Sequence, residues 1–524
     1  MYTVIVLVLI ATVIFLVNKY FFSYWSKRNV PQLDPTFLVG NIGKLFTFKE
    51  TMADVFSNIY EKNKHHRFIG GYLSYIPMLI IHDPQLIQDV MIRDFKVFHD
   101  RPTPGDAAEI FPLVGNLFNL RGQKWKNLRV KLSPAFSSGK LKVMFPFLKD
   151  CSQVLVDYVE KNIKNGNNVF DFKDLLARLT IDNISSVALG VENDCINDDD
   201  NMLYKIGLKI FEPSIKNALV LTMAFFTPDL ITRFRINPIQ SEIGDFIYSL
   251  VNQTVEYREK NDVHRNDFMQ LLIELKNKGF VSELRRNSKV NGDNNWEDEV
   301  SEKGNRLTID DIAAQVFIFF GAGFETSSST MSFCLFELSR NKQAQRKAQE
   351  EVDRVLKTAG SDVITNDLLH DMKYIECCIN ETLRKYPIAP VLFRTNNRDC
   401  KLPGSDAVIA KGTPVLIPLM GIQRDPDIFE DPMKFRPERF LNSPNGDPKV
   451  KTGIVYAPFG DGPRNCIGGR LGMLQSKLGL AMILHKFNLE LQDKAMENQE
   501  IKFHTYSLVL SPLNRIPLIA TLRK

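Results

Sequence analysis

One cysteine, Cys466, stands in a segment rich in glycine and proline, PFGDGPRNCIG, near the end of the 524-residue sequence. A thiolate is a strong ligand for soft metals, and nearby backbone N–H groups tune it. The glycines let the backbone come close to a flat partner, and Arg464 can pair with a carboxylate of that partner. The segment therefore suits a macrocycle that offers a metal to the thiolate and an acidic edge to the arginine, as haem does. Taken alone, a buried free cysteine is more often a small apolar side chain.

A second group of chemically capable residues lies in a long apolar stretch. Thr308 and Asp311 form the Thr-x-x-Asp pattern that begins helices, and residues 316–324 are apolar on every side, which predicts a buried helix. Within it, residues 322–326 read AGFET, and each glycine costs about 1 kcal/mol relative to alanine in a helix centre. Close packing against another helix is one explanation for these glycines. Space for a ligand beside an acid and an alcohol that relay protons is the other.

These segments together resemble the cytochrome P450 superfamily. The loop Phe459-x-x-Gly462-x-Arg464-x-Cys466-x-Gly468 matches the haem-binding pattern FxxGxRxCxG at every fixed position. AGFET matches the oxygen-activation pattern AGxET, residues 381–384 (ETLR) match ExxR, and residues 437–440 (PERF) match the PERF-like segment. Trp125-x-x-x-Arg129 is a further family pattern. The resemblance covers residues 30–524 and is greatest to the insect microsomal group, family 6.

The resemblance implies a mainly α-helical fold with small β-sheets and one haem b. In that family the loop cysteine is the thiolate ligand of the iron, so Cys466 is expected to bind the haem iron. A structural brace behind the loop is expected from Glu381, Arg384 and Arg439. The other residues expected to contact haem are Phe459, Gly460, Arg464, Gly468, Trp125, Arg129 and Arg394, the last three beside a propionate.

The AGFET match implies oxygen activation. Ala322 and Gly323 are expected to line the oxygen pocket, and Glu325 and Thr326 to deliver protons. The implied activity is that of a haem-thiolate monooxygenase, which inserts one atom of O2 into a lipophilic xenobiotic, lipid or hormone. Two alternatives remain: a haem-thiolate isomerase or dehydratase that needs no O2, and a membrane-anchored haem or lipid binder without turnover. The intact Glu325–Thr326 pair argues against the first, because such enzymes commonly lose it.

The electrons are expected to come from another protein. Gly321-Ala322-Gly323 lacks the sixth-position glycine and the preceding strand of a dinucleotide fingerprint, and no Walker loop occurs. Bound flavin or nicotinamide is therefore not expected, and NADPH–cytochrome P450 reductase is the predicted donor, with cytochrome b5 as a further candidate partner. A docking face is predicted where no acidic residue intervenes, although a plain solvated basic face would have the same composition. Its basic residues are Arg121, Lys124, Lys126, Arg129, Lys131, Lys140, Lys142 and Lys149.

The N-terminus predicts a membrane anchor. Residues 4–17 are almost all apolar, and counting through Phe22 gives about the 20 residues that a membrane span needs. Lys27 and Arg28 follow an aromatic group, which favours a cytosolic body. A cleaved signal peptide is the alternative, but no small-residue cleavage site follows. The predicted organisation is an anchor over 1–25, a linker over 26–45 and a catalytic domain over 46–524, in the endoplasmic reticulum membrane, with seven reduced cysteines.

Helical periodicity dominates the remaining chain. Strands are predicted at 67–73 and 78–82, and an exposed loop at 276–305. The apolar stretch 218–226 suits either a buried helix or a lipid-facing lid. The formal charge of +5 is too small to predict a nucleic-acid partner. Helices are predicted at 148–162, 244–260, 335–356 and 368–385. The resemblance to the P450 family further implies substrate walls in 101–119 (with Phe111 and Phe118), at Phe317, Phe320 and Phe324, in 388–392 and in 505–507.

Overall fold

The computed structural model describes residues 1–212, 214–279, 306–450, 452–507 and 509–523. The chain is mainly helical with small β-sheets, which confirms the predicted fold class. The helices are α1 Tyr2–Phe21, α2 Gly43–Phe46, α3 Met52–Asn63, α4 Pro84–Gln88, α5 Gly122–Leu132, α6 Ser138–Lys164, α7 Phe172–Ile184, α8 Met202–Ile210, α9 Ile215–Phe226, α10 Pro228–Arg233, α11 Ser241–Asn261, α12 Phe268–Lys278, α13 Ile309–Arg340, α14 Lys342–Ala359, α15 Asn366–Asp371, α16 Lys373–Lys385, α17 Leu419–Gln423 and α18 Gly469–Lys486. The strands are β1 Phe68–Leu73, β2 Ile76–Ile81, β3 Val169–Asp171, β4 Leu392–Thr395, β5 Cys400–Lys401, β6 Val408–Ile409, β7 Pro414–Ile417, β8 Phe487–Leu491 and β9 Pro517–Leu522.

The backbone divides into two compact units, each built from separate stretches of the chain. Unit 1 comprises Met1–Pro102, Ala389–Pro432 and Pro448–Asn465. Unit 2 comprises Thr103–Ile388, Met433–Asp447 and Cys466–Lys524.

Unit 1 is built on a four-stranded sheet in the order β1-β2-β7-β4. The hairpin β1–β2 is antiparallel, β2 runs parallel to β7, and β7 is antiparallel to β4. Strand β2, with the sequence IPMLII, is buried from Met78 to Ile81, as its nearly continuous apolar run requires. The two strands predicted at 67–73 and 78–82 correspond to this hairpin. Its turn passes through Ser74 with a positive φ of 55°.

Unit 2 is organised around α13, which is buried along most of its length. Its predicted start is confirmed, because the Thr308 hydroxyl accepts from the Asp311 N–H and the Asp311 carboxylate accepts from the Thr308 N–H. Helices α7 and α18 pack against it. A second small sheet, in the order β3-β9-β8, completes this unit.

Two predicted helices are each interrupted by one residue. The helix expected at 335–356 breaks at Asn341, which has φ −105° and ψ 84° and caps α14 by accepting from the Ala344 N–H at 3.0 Å. The helix expected at 368–385 breaks at Met372, between α15 and α16. There the buried carboxylate of Glu351 accepts the backbone N–H of Tyr374 at 2.8 Å, which fixes a new helix start. Both breaks arise from capping groups that apolar periodicity does not record.

Two other predictions concern surface segments. The apolar stretch 218–226 lies in α9, where Ala218 and Ala224 are buried while Leu219 is exposed, so this helix is buried along one side only. Of the loop expected at 276–305, residues 276–278 instead form the end of α12, and residues 280–305 lie outside the described residues. At the N-terminus, α1 is long and apolar enough to cross a membrane, by length and composition.

Candidate active site

The loop before α18 holds Cys466 in an exposed position. Of the seven cysteines, all within the described residues, Cys466 is exposed and the others are buried or half-buried. Gly460 and Gly462 have φ values of 70° and 71°, a region that side chains disfavour. A Cβ on Gly462 would also lie 2.1 Å from the carbonyl oxygen of Met91. Position 462 therefore requires glycine, and the loop presents a thiol that a large ligand can reach.

The other thiols are poorly suited to metal binding, because the thiolate is the form that binds. Burial raises the pKa of Cys334 to about 12 and that of Cys377 to about 11. Burial also raises the pKa of the half-buried Cys400. Accessibility thus favours the same cysteine that the loop pattern does.

Helix α5 places Trp125 and Arg129 one helical turn apart on one face. Trp125 is buried and Arg129 is half-buried. Burial lowers the pKa of Arg129, and the negative charge of a Cys466 thiolate acts on it in the opposite direction. Within unit 2, therefore, a cation stands within electrostatic reach of the exposed thiol.

In unit 1, Arg464 and Arg394 are deeply buried guanidinium groups. Arg464 is 2% exposed and donates to the carbonyl oxygen of His99 at 2.9 Å. Arg394, on β4, is 3% exposed and donates to the carbonyl oxygen of Phe393 at 2.8 Å. Burial lowers the pKa of Arg394 to about 10, and among the described residues its Nε has no hydrogen-bond partner. A buried cation with an unused donor suits an anionic ligand.

Glu381, Arg384 and Arg439 meet in the interior of unit 2. Glu381 receives hydrogen bonds from Arg384 Nε at 2.7 Å and Arg384 Nη2 at 2.9 Å, a bidentate pair. Arg439 Nε lies 3.3 Å from Glu381 Oε1, and the Arg436 N–H donates to the same oxygen at 2.9 Å. All three side chains are nearly inaccessible to solvent. The structure therefore brings together the residues expected to form the brace, while its purpose remains a prediction.

The acid of the AGFET segment is held by an ion pair. The Glu325 carboxylate, 8% exposed, accepts from Lys173 Nζ at 2.9 Å, and Lys173 lies at the start of α7. Glu325 also accepts from the Ser329 hydroxyl at 3.0 Å, and Lys173 donates to the Ser328 hydroxyl at 2.9 Å. Thr326 instead donates to the Ala322 carbonyl at 2.8 Å. The acid and the alcohol thus have separate partners, and proton delivery by both remains a prediction.

The glycines of this segment differ in what they require. A Cβ on Gly323 would lie 2.5 Å from Cδ1 of Ile184, on α7, whereas a Cβ on Gly321 would make ordinary contacts beginning at 3.6 Å. Close helix packing therefore accounts for Gly323, the first of the two explanations weighed from the sequence. The Gly323 carbonyl also accepts from Gln475 Nε2, on α18, at 3.0 Å. Lining of an oxygen pocket by Ala322 and Gly323 remains a prediction.

The sequence matches the cytochrome P450 family over residues 30–518. The chain belongs to the cytochrome P450 family. Among curated relatives, the protein named probable cytochrome P450 6d5 of Drosophila melanogaster is 36% identical over 521 residues, which cover 99% of each chain. Cytochrome P450 6a2 of the same species is 37% identical over 502 residues, 95% of each chain. Cytochrome P450 6d3 of Musca domestica is 36% identical over 521 residues, 97% of this chain and 96% of the relative.

These matches confirm the resemblance to insect family 6 enzymes. Membership makes this chain a P450 monooxygenase that uses haem b, O2 and a redox partner. The residues present fit that cofactor in two respects. Cys466 is an exposed thiol in a glycine loop, and Arg394 offers a buried unused donor of the kind a propionate would take up.

In this P450 the loop expected to form a substrate wall is tied to α13. The Gln315 side chain, fully buried, accepts the Leu117 N–H at 2.9 Å and donates to the Gly115 carbonyl at 3.2 Å. The same loop carries Phe118, which is 37% exposed. Of the aromatic residues proposed on α13, Phe320 and Phe324 are fully buried and pack beside Gly207 of α8. They support the helix packing, whereas Phe317 is half-buried.

Sequence inspection missed three polar residues around the P450 motifs: Lys173, Gln315 and Gln475. Each lies in a helix that contains other polar side chains, so its residue type does not set it apart. Their partners are distant in sequence, so no local spacing could have identified them.

Proposed function

We propose that this P450 oxidises lipophilic small molecules, using electrons from NADPH–cytochrome P450 reductase, while anchored in the endoplasmic reticulum membrane. The observation that carries the proposal is the exposed Cys466 thiol in its glycine loop, close to the Arg129 cation. When bound, the haem supplies the activation of O2 and the insertion of one oxygen atom. The remaining tasks belong to side chains of this chain.

Binding the cofactor requires a thiolate and cations. Cys466 is proposed as the iron ligand, with Phe459, Gly460 and Gly468 shaping its loop. Cations are proposed to hold the two propionates, and the buried Arg394 is suited to this because a carboxylate would satisfy its Nε. The other residues proposed to hold propionates are Arg464, Trp125 and Arg129.

Proton delivery is proposed for Thr326 and Glu325. The Thr326 hydroxyl hydrogen-bonds to its own helix and can pass a proton onward by rotating away from the Ala322 carbonyl. The Glu325 carboxyl group, which pairs with Lys173, can resupply that proton after taking one up from solvent water.

Lipophilic substrates are proposed because the segments that surround the predicted substrate region are apolar. The predicted loop 101–119 carries the half-buried Phe111 and the exposed Phe118, and α13 adds the half-buried Phe317. Apolar walls with few polar groups select for hydrophobicity more than for one compound. The insect relatives support the class of enzyme and leave the particular substrate open.

The reductase is proposed to dock on the basic residues of α5 and α6. Lys124 and Lys142 have exposed fractions of 78% and 65%, and the acids nearest them, Glu109 at 4.0 Å and Asp367 at 3.4 Å, form loose surface pairs. Pairs of this kind contribute little and leave the positive field available to an acidic partner. Electron transfer should therefore slow as ionic strength rises. Cytochrome b5 is proposed as a second partner for the same basic residues.

The test exchanges one thiol at a time in the full-length protein. Cys466→Ala should abolish the reduced carbon-monoxide spectrum typical of thiolate-bound haem and all substrate oxidation with reductase and NADPH. Cys400→Ala, the matched control at a half-buried thiol, should retain both. A Cys466→Ala protein with an unchanged spectrum would refute the ligand assignment. Consumption of NADPH and O2 without any oxidised product from a panel of lipophilic compounds would refute the proposed substrate class.

A further inference from the structure

A glutamine on α18 donates hydrogen bonds to two groups in the AGFET region of α13. Gln475, which is 2% exposed, donates through Nε2 to the Gly323 carbonyl at 3.0 Å and to the Ser327 hydroxyl at 2.6 Å. Because a carbonyl can only accept, the amide nitrogen must face Gly323, and both of its hydrogens are then used. One buried side chain therefore binds α13 at two points that are one helical turn apart.

The oxygen of the same amide is held by α7. Gln475 Oε1 accepts from Asn183 Nδ2 at 3.3 Å, and Asn183 is 1% exposed. The Ser327 side of the group is buried as well. None of these three side chains can exchange its partner for water unless the packing opens, so the orientation of the Gln475 amide is fixed from both ends.

Close packing fixes the position of α18 against α13. Gly479 follows Gln475 by one turn, and a Cβ at this position would lie 2.9 Å from Met331 Sδ, on α13. The two helices therefore approach each other closely just beyond the amide. Helix α18 begins at Gly469, three residues after Cys466. The glutamine thus connects the helix that follows the cysteine loop to the segment expected to act on oxygen.

The two contacts of Gln475 enclose the residues proposed to deliver protons. Glu325 and Thr326 lie between Gly323 and Ser327 in sequence, so the turn that carries them is held at its start and at its end. Because a helix advances about 100° per residue, Glu325 points away from the face that Gly323 and Ser327 share. The amide can therefore set the rotation of this turn about the helix axis and leave both residues to their own partners.

Those partners lie on the other sides of the turn. Glu325 accepts from Lys173, on α7, at 2.9 Å, whereas Thr326 donates to the Ala322 carbonyl within α13. Ala322 is exposed and Thr326 is half-buried, so theirs is the accessible side of the turn. Attachments to two neighbouring helices thus determine which side of α13 is accessible.

We propose that Gln475 is a positioning residue for proton delivery, which fixes the rotation of the turn 323–327 through its two hydrogen bonds. The inference rests on the proposed function in one respect, namely that Glu325 and Thr326 deliver protons. Without the amide, two buried polar groups of this turn lose their partner on α18, which is costly, and the turn samples other rotations. Thr326 then presents its hydroxyl to the accessible side less often. Because α18 directly follows the cysteine loop, the amide also ties the orientation of this turn to that loop.

The test replaces the amide by an apolar side chain of similar size in the full-length, haem-loaded protein. Gln475→Met should keep the reduced carbon-monoxide spectrum and the affinity for a lipophilic compound that the unmodified enzyme oxidises, because Gln475 is proposed to contact neither haem nor substrate. The product formed per NADPH should fall several-fold, since NADPH then reduces O2 to hydrogen peroxide with two electrons and two protons. Amide hydrogen exchange in a peptide spanning residues 322–330 should become several-fold faster.

Gln349→Met is the matched control. Gln349, on α14, is 4% exposed, and its Nε2 also donates two hydrogen bonds, to the Phe487 carbonyl at 3.0 Å and to Asn488 Oδ1 at 3.1 Å. This variant loses a buried amide whose partners lie on β8, so its thermal stability should fall while its coupling and the exchange of residues 322–330 match the unmodified enzyme. An equal loss of coupling in both variants would overturn the proposal, because lost stability alone would then explain it.

Further variants separate this proposal from the proposed function. Faster exchange with unchanged coupling in Gln475→Met would remove Gln475 from proton delivery and make it a packing contact. If Gln475→Met does not fold, Ser327→Ala removes one of the two contacts and should show a smaller loss of coupling, and full coupling in that variant would overturn the proposal. Thr326→Ala tests the proposed function separately. Full coupling in Thr326→Ala beside uncoupling in Gln475→Met would refute the role of Thr326 and support Gln475 acting through Glu325.

Discussion

At the scale of single residues, the Lys173–Glu325 pair is the contact with the clearest energetic consequence. Lys173→Met would remove the cation that pairs with the Glu325 carboxylate, which is only 8% exposed. Removing one partner of a buried pair is strongly destabilising, here by about 1–3 kcal/mol because the Ser329 hydrogen bond remains. We also expect the yield of product per NADPH to fall several-fold, because Glu325 is proposed to resupply protons. Thermal unfolding and coupling measurements on the same preparations check both effects.

Two further variants separate the effect of the positive charge at position 173 from the effect of the carboxyl group at position 325. Lys173→Arg should restore stability and most of the coupling, since it keeps the cation. The double variant Lys173→Met with Glu325→Gln should recover stability, because no buried charge is left unpaired, but should remain uncoupled. If the double variant couples as well as the unmodified enzyme, Glu325 does not deliver protons.

At the scale of elements, the close crossing of α13 and α7 depends on Gly323, which has no side chain. Gly323→Ala would place a methyl group 2.5 Å from Ile184 Cδ1, and overpacking of this kind costs about 1–3 kcal/mol. Gly321→Ala, two residues away with its nearest contact at 3.6 Å, should be neutral or stabilising by up to about 1 kcal/mol because alanine favours helices. Denaturant unfolding of the two variants gives the comparison.

The stronger part of this prediction is that a second substitution, at Ile184, offsets the loss of stability caused by Gly323→Ala. Combining Gly323→Ala with Ile184→Ala removes the atom that clashes, so the double variant should be more stable than the sum of its two single changes predicts. Strict additivity would show that the two helices do not press on each other at this point.

Helix α13 also shows how far sequence patterns extend at this scale. Its start was predictable because the capping residues Thr308 and Asp311 are local, three positions apart. Its end was missed although the signal is equally local: Asn341 caps the following helix by accepting from the Ala344 N–H, three positions on, and helical periodicity continues across it. Likewise, the ETLR and PERF segments could be assigned to one brace only through the family pattern. Nothing local indicates that Arg439 meets Glu381 across such a long stretch of chain.

At the scale of the whole molecule, the sequence predicted an N-terminal apolar segment long enough to span a membrane, a mainly helical body and the glycine-rich loop around Cys466. It did not predict that Trp25 is fully buried, with its indole Nε1 donating to the Gly71 carbonyl at 2.9 Å, since a tryptophan among aromatic residues after an apolar run equally suits an interfacial belt. The division into two units was also invisible, because each unit is assembled from separate stretches of chain. Long-range assembly of this kind leaves no periodic signal in the residues that carry it.

The stability of the whole molecule in mild acid should reflect two buried groups that act in opposite directions. Burial lowers the pKa of His82 from 6.5 to about 4, so on acidification the unfolded chain takes up this proton first and stability falls. Burial raises the pKa of Asp182 from 3.8 to about 6, so the folded chain takes up that proton first and stability rises. Each pKa unit corresponds to about 1.4 kcal/mol, and between about pH 6.5 and pH 5 each group changes the free energy of unfolding by about 1–2 kcal/mol. In the unmodified protein the two changes largely cancel.

Replacing either group should therefore reveal the pH dependence of stability that the other group contributes. His82→Asn retains a donor toward the Asn63 and His66 carbonyls that the imidazole Nδ1 contacts, and this variant should gain stability relative to the unmodified protein as the pH is lowered through this window. Asp182→Asn, in the site where the Cys195 N–H reaches the carboxylate at 3.0 Å, should lose stability more steeply over the same window. His264→Asn, at a histidine whose side chain is 72% exposed, is the control and should follow the unmodified protein. The measurement is the thermal unfolding midpoint of the four proteins at about pH 6.5 and at about pH 5. The two pKa values predict that, relative to the unmodified protein, the midpoints of the His82 and Asp182 variants change in opposite directions between these pH values. Parallel changes in all four proteins would mean that neither buried group controls the stability in acid.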